Sequence, residues 1–211
     1  MPRPRNTDQR RAQIVSGFMR IMAERGYDGT SVAEAARAAG LTQGLVHYHF
    51  KSKQEILVAA LSQLVEQHDA QLTQRLEEVP NGPGSEVDAF IDFHLGLGAD
   101  ANPEALACWI HMSGEALRQA EVRSEWEKAL TATAERLTEI IHLGIAQGVF
   151  DCESAQASAT AIVAAIQGYF VLAATARSVI PKGTAAPSVK RMAQGLLRQQ
   201  RSSNSDDGGS R

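Results

Sequence analysis

The 211-residue sequence predicts an all-α chain in two unequal parts, a three-helix N-terminal unit and a larger helical remainder. Three observations predict this. Strand-type alternation is absent, turn signals are few, and the helix formers Ala, Leu, Glu, Gln and Arg fill the intervals. The first helix is expected over about 7–24, with Ile14, Phe18, Ile21 and Met22 on one face and Gly26 ending it. Val32, Ala35, Ala36 and Ala39 then follow the i, i+3, i+4, i+7 pattern, Ser31 and Glu34 form an S-x-x-E capping box, and Gly40 reads as a left-handed C-cap. Thr42 caps a very short helix over 43–49, after which Lys51, Ser52 and Lys53 open a long one.

Helix 4 is expected over about 52–78, burying Ile56, Leu57, Leu61, Leu64 and Val65, a strut of about 40 Å that ends at the run Pro80-Asn81-Gly82-Pro83-Gly84. Further helices are expected at about 86–97, 103–119, 121–147, 153–178 and 187–200, with Pro103 and Pro187 in first-turn positions. The tail from Ser202 is polar and glycine-rich and is expected to be disordered. The organisation is therefore a helix-turn-helix unit at 1–51, a helical domain at 52–201 that includes the long linker helix, and a tail at 202–211.

Charge is divided along the same line. The net charge is −3, but through Lys53 there are nine Lys and Arg against four Asp and Glu, and beyond it twelve against twenty. A local cationic surface is what phosphate binding needs, and an acidic remainder discourages indiscriminate wrapping of nucleic acid. Together with two helices joined by a tight glycine turn and a short helix whose polar face stays outward, this points to a DNA-reading unit.

Residues 1–60 resemble the DNA-binding domain of TetR-type transcriptional regulators. The motif is carried by Gly40-Leu41-Thr42-Gln43-Gly44, then His49-Phe50-Lys51-Ser52-Lys53, then Glu55-Ile56-Leu57. The segment from Trp109 to Arg118, WIHMSGEALR, is loosely similar to choline-repressor-type C-terminal domains. The resemblance implies that Thr42, Gln43, Gly44 and Tyr48 face the major groove, where Gln pairs with adenine, Thr offers a hydroxyl and a methyl, and Gly permits close approach. It implies phosphate contacts from Thr30, Ser31, His47, His49 and Lys53, with Val46 and Phe50 turned into the small core. His47 and Leu45 depart from the family pattern. His47 would bind phosphate more tightly in mild acid, and Leu45 either meets a thymine methyl or is buried. Arg3, Arg5, Arg10 and Arg11 form either an arm toward the DNA or a solvated leader.

The resemblance also implies that the larger domain binds a small-molecule effector and forms a homodimer through its last two helices. Ala159, Ile162, Ile166 and Ala173, with Met192 and Leu196, give those helices small and apolar surfaces suited to close packing. Phe90, Phe93, His94, Trp109, Met112, Trp126, Tyr169 and Phe170 are the candidate effector lining, and Glu115 beside the two tryptophans would suit a cationic or aromatic ligand.

Other classes are disfavoured. No glycine-rich phosphate loop, G-x-S-x-G elbow or H-E-x-x-H occurs, so no enzyme and no cofactor are expected. His47 and His49 lie about 200° apart on a helix, and no dense Cys or His pattern suggests a metal. Two cysteines, Cys108 and Cys152, with no apolar leader in MPRPRNTDQRR, fit a cytoplasmic protein. Residues 154–176 carry no charge and are long enough to span a bilayer, but their Ala, Ser, Thr and Gln content favours a helix packed in protein. The reading is a DNA-binding transcriptional repressor released from a palindromic operator by its effector. The alternatives are a helical small-molecule binder without specific DNA binding, and a nonspecific DNA binder.

Overall fold

The computed structural model describes residues 4–80, 82–96 and 102–197, with side chains from residue 7 onward. Among these the chain is all-α: α1 (Pro4–Arg25), α2 (Val32–Ala38), α3 (Gln43–His49), α4 (Lys53–Glu77), α5 (Pro83–Leu95), α6 (Pro103–Ala116), α7 (Ala120–Ala146), α8 (Ala155–Thr175) and α9 (Ala185–Leu196), with one 3-10 turn at Arg177–Val179. The expected tail at 202–211 and the last residues assigned to the final helix lie outside the described residues.

Local chemistry sets most boundaries. The Ser52 side chain accepts from the Glu55 N–H to start α4, and the Asn102 side chain accepts from the Glu104 and Ala105 N–H groups to start α6. Several boundaries differ from expectation, and three of them have a local cause. α5 begins at Pro83, inside the expected break, because a first-turn proline gives up no needed hydrogen bond. α6 stops at Ala116 because Arg123, from α7, donates to the Ala116 and Leu117 carbonyls and takes over its C-terminal acceptors. α8 stops at Thr175 because Ala176, with φ −146° and ψ 49°, leaves helical geometry. At the far end of α7, Gly144 is obligatory: an added Cβ would lie 2.1 Å from the Phe150 ring.

Two apolar clusters form the interior. The first joins Ile14, Phe18, Met22, Ala35, Val46, Phe50, Ile56, Leu57 and Leu61 of the head to Cys108, Met112, Ala116 and Val122 of α6 and α7. The second gathers Leu72 of α4 with α5, α7, α8 and α9 around Phe90, Ile91, Leu137, Ile141 and Ile162. Each fully buried Phe or Leu contributes about 1.5–3 kcal/mol, so both clusters are substantial. α4, about 37 Å long, passes through both and ties the head to the remainder.

Candidate nucleic-acid interface and effector region

The turn between α2 and α3 is built from hydrogen bonds that the sequence dictates. Ser31 and Glu34 close the capping box: the Glu34 N–H donates to Ser31 Oγ at 3.1 Å, and the Ser31 N–H to the Glu34 carboxylate at 3.1 Å. The bonds that Ser31 donates hold the exposed Glu34 carboxyl below its ordinary pKa. At the other end Gly40 takes φ +68°, the Gly40 N–H donates to Arg37 O and the Leu41 N–H to Ala36 O, a Schellman turn. Thr42 Oγ1 then accepts from the Leu45 N–H to begin α3.

α3 is fastened by its inner face. Val46 and Phe50 are buried, as the sequence indicates, and Leu45 is half-buried, whereas Thr42, Gln43, Gly44 and His47 are exposed and Tyr48 is 81% exposed. Gln43 Nε2 lies 3.3 Å from His47 Nε2 one turn on, and the Tyr48 ring stands edge-on to His49 at 5.1 Å. Nothing within the chain approaches the position of a Cβ on Gly44. An open glycine in a seven-residue helix costs stability without serving the fold. Gly44→Ala is therefore expected to stabilise the head by a few tenths to about 1 kcal/mol and to weaken operator binding at least about tenfold. Urea denaturation and DNA titration of the same variant check both signs.

Several polar residues expected at the DNA are turned inward. Thr30 is buried and its hydroxyl donates to Gly26 O at 2.8 Å, so it closes the α1–α2 turn instead of meeting a phosphate. Lys53 Nζ donates to Tyr27 O at 2.9 Å and sits 4.0 Å from the Tyr27 ring centroid. Arg11 donates to His49 O at 2.6 Å with its guanidinium over the Phe50 ring, and so braces the end of α3 against α1. Arg10 is tied to Gln13, and the side chains of Arg3 and Arg5 lie outside the described residues. Ser31 is exposed and His49 half-buried, and Lys51, exposed beside α3, adds a cation to the same surface.

The expected effector lining divides between the two clusters. Phe90, Phe93, His94, Tyr169 and Phe170 gather in or against the second; Trp109, Met112 and Trp126 belong to the first. The Trp109 and Trp126 rings pack on each other at 4.0 Å between centroids, and Trp109 Nε1 donates to Gln167 at 2.8 Å. Glu115 does not join them as a ligand-facing carboxylate. It is buried and bonded to Arg118 and Gln119, and Arg118 reaches Asp28 of the head at 3.5 Å. Met112 and Phe90 are fully enclosed.

His68 is absent from the expected lining, although it continues the stripe Leu57, Leu61, Leu64 along α4. Its ring lies 4.7 Å from both Phe93 and His94, in a knot that Phe90 completes. Burial, and next the neighbouring His68, pushes the His94 pKa down to about 3. Since the unfolded value is 6.5, the contribution is intact above pH 6.5 and is lost as pH falls toward 3. Stability should fall by up to about 1.4 kcal/mol per pH unit from this group, and urea denaturation at pH 7 and 5 should show a smaller drop in His94→Leu.

Neither cysteine forms a disulfide. Cys108 Sγ donates to Met19 O at 3.2 Å, and burial, with Glu104 nearby, pushes its thiol up to about 12, the opposite of a reactive thiolate. No group of three or more possible metal ligands occurs among the described residues.

On α8, Ala159, Ile162 and Ile166 do not face a second chain. They are enclosed in the chain's own core, packed with α7 and α9, because they lie on the stripe with the larger apolar side chains of the helix. The face left open is Ala157, Ala161, Ala164, Gly168, Val171 and Leu172, beside the half-buried Ala173. On α9, Met192 is 52% and Leu196 40% exposed. α8 is long and apolar enough to cross a membrane by length and composition, with 28% of its most apolar stretch buried.

Comparison with known proteins gives two family matches: residues 14–60 match bacterial regulatory proteins of the tetR family, and residues 83–198 match the C-terminal domain of BetI-type transcriptional repressors. The HTH-type transcriptional regulator BetI of Rhizobium meliloti (strain 1021) is 28% identical over 174 residues, covering 81% of each chain. The HTH-type transcriptional regulator TtgR of Pseudomonas putida is 41% identical over 59 residues, 28% of each chain. A transcriptional regulator from Saccharomonospora viridis, solved in complex with choline, superposes with a TM-score of 0.76 at 21% identity, covering 92% of this chain and 97% of that one, and so shares the fold.

Proposed function

The chain belongs to the tetR family of bacterial regulatory proteins as a helix-turn-helix transcriptional regulator of the BetI type, and we propose that it works as a cytoplasmic homodimeric repressor that a small cationic alcohol of the choline class releases from DNA. The observation that carries the DNA reading is α3. It is held by Val46 and Phe50, Thr42 caps its start, and the exposed side chains of Gln43, His47 and Tyr48 touch only neighbours within α3 while Gly44 lies open, so this face packs against no other element. In the dimer, the two copies of α3 enter successive major grooves about 34–36 Å apart. Ser31, His49 and Lys51 lie at the flanks, where phosphates run.

The dimer forms through the open faces of α8 and α9. Alanines and Gly168 permit close helix approach, and Val171, Leu172, Met192 and Leu196 supply apolar area that water otherwise meets. That face also accounts for the membrane-like composition of α8.

Effector class is supported by the BetI-type match over residues 83–198, by the choline held in the Saccharomonospora viridis protein, and by the aromatic groups on α5, α6, α7 and α8. Release follows because α4 runs from the head into the second cluster, and because α6 packs on α1 through Cys108 and Met19. A ligand that favours a different packing of these helices by about 3 kcal/mol lowers operator affinity by more than a hundredfold. Titrating choline into the protein–operator complex tests the effector reading; release that needs no choline analogue, or none at all with millimolar choline, counts against it.

A further inference from the structure

One buried polar side-chain atom among the described residues has no hydrogen-bond partner: Nε2 of His94. Such groups are rare in folded proteins, and each calls for an occupant or a purpose. His94 sits in the last turn of α5, and its Nδ1 lies 2.7 Å from the Phe90 carbonyl oxygen. A carbonyl only accepts, so Nδ1 carries the proton and Nε2 is left as a bare acceptor. The ring cannot turn to hide it, because Phe90, Phe93 and His68 pack around it at centroid distances of 4.3, 5.4 and 4.7 Å. The imidazole is therefore a fixed neutral acceptor in an aromatic setting, beside the partly exposed His68 on α4.

We propose that His94 Nε2 is the specificity anchor of the effector site, accepting a hydrogen bond from a hydroxyl group of a small ligand whose remaining surface lies against the Phe90, Phe93 and His68 rings. This deepens the effector reading above and rests on it for the location of the site. A ligand with the hydroxyl satisfies the acceptor; the same ligand without it leaves the acceptor buried and bare, which is how a site built for an OH group rejects its deoxy analogue. His68, packed on both Phe93 and His94 and itself partly exposed, is the side chain that must shift to admit the ligand.

The test uses the full-length protein and three probes: choline, ethyltrimethylammonium, which lacks only the hydroxyl, and 3,3-dimethylbutanol, which keeps the hydroxyl and lacks the charge. Calorimetry gives the affinities, and the ¹⁵N shift of His94 Nε2 in histidine-labelled protein reports hydrogen-bond donation to it directly. Choline is expected to bind at least about tenfold tighter than ethyltrimethylammonium and to move the Nε2 resonance, with the preference lost in His94→Leu and retained in His94→Gln, whose amide oxygen still accepts. Should His94→Leu fail to fold, the wild-type resonance decides alone. If 3,3-dimethylbutanol moves Nε2 while choline does not bind, the anchor stands and the choline-class effector falls. If no hydroxyl compound moves Nε2, or if the preference for choline survives in His94→Leu, the anchor is overturned, and choline-driven operator release still judges the effector reading separately.

Discussion

Ala164→Glu combined with Leu172→Glu is expected to turn the proposed dimer into a monomer and to lower operator affinity about a hundredfold or more, because one half-site keeps only half of the phosphate and base contacts. Both positions lie on the exposed face of α8, so the variant should fold as the parent does and give the same circular dichroism. A two-fold interface sets each new carboxylate against the same face of the other copy, where desolvation and like-charge repulsion act together. Sedimentation velocity reads the assembly and fluorescence anisotropy the affinity. A variant that stays dimeric would remove the α8 face from the interface, and the spacing of the two heads would then need another origin.

Gln43→Ala with Tyr48→Ala is expected to abolish operator preference, a loss of about a thousandfold or more in the ratio of specific to nonspecific affinity. The reasoning is local. Each well-made base contact is worth about 1–3 kcal/mol, both side chains are exposed, and neither secures the small core. Nonspecific binding should persist, since His49, Lys51 and Ser31 remain to meet phosphates. Competition titrations with operator and scrambled duplex at one salt concentration separate the two terms, and thermal unfolding should be unchanged. Retention of the preference would move base recognition to another surface of the head.

What can be read in the sequence depends on how far apart the interacting residues lie. Boundaries of α3, the Ser31–Glu34 capping box, the Gly40 turn and the burial of Val46 and Phe50 all follow from contacts within a few residues, and spacing reveals those. The family resemblance points Thr30 and Lys53 toward phosphate, and residue type leaves Arg11 either in an arm toward the DNA or in a solvated leader. Lys53 and Arg11 instead bind the backbone carbonyls of Tyr27 and His49, 26 and 38 residues away, which periodicity does not report. Glu115 differs, because its partners Arg118 and Gln119 are three and four residues on, a spacing the sequence displays but which aromatic neighbours outweigh in a reading for ligands. α8 poses another difficulty. It is Ala-rich all round, so two stripes compete, and the one with Ile162 and Ile166 goes to the core because larger side chains gain more from burial, leaving Ala157, Ala161, Ala164 and Gly168 outside. His68 escapes notice because its type interrupts an apolar stripe whose geometry it continues.

Whether a dimer reads its operator through α3 and yields it to a small effector can be decided by one anisotropy titration. Wild-type protein is titrated onto duplexes drawn from the DNA flanking its own coding region and onto a scrambled duplex, with and without choline. A preference of about a thousandfold or more for one flanking duplex containing a two-fold repeat is expected, reduced more than about a hundredfold by choline. Equal, salt-sensitive binding to every duplex, unmoved by choline, would be incompatible with such a regulator.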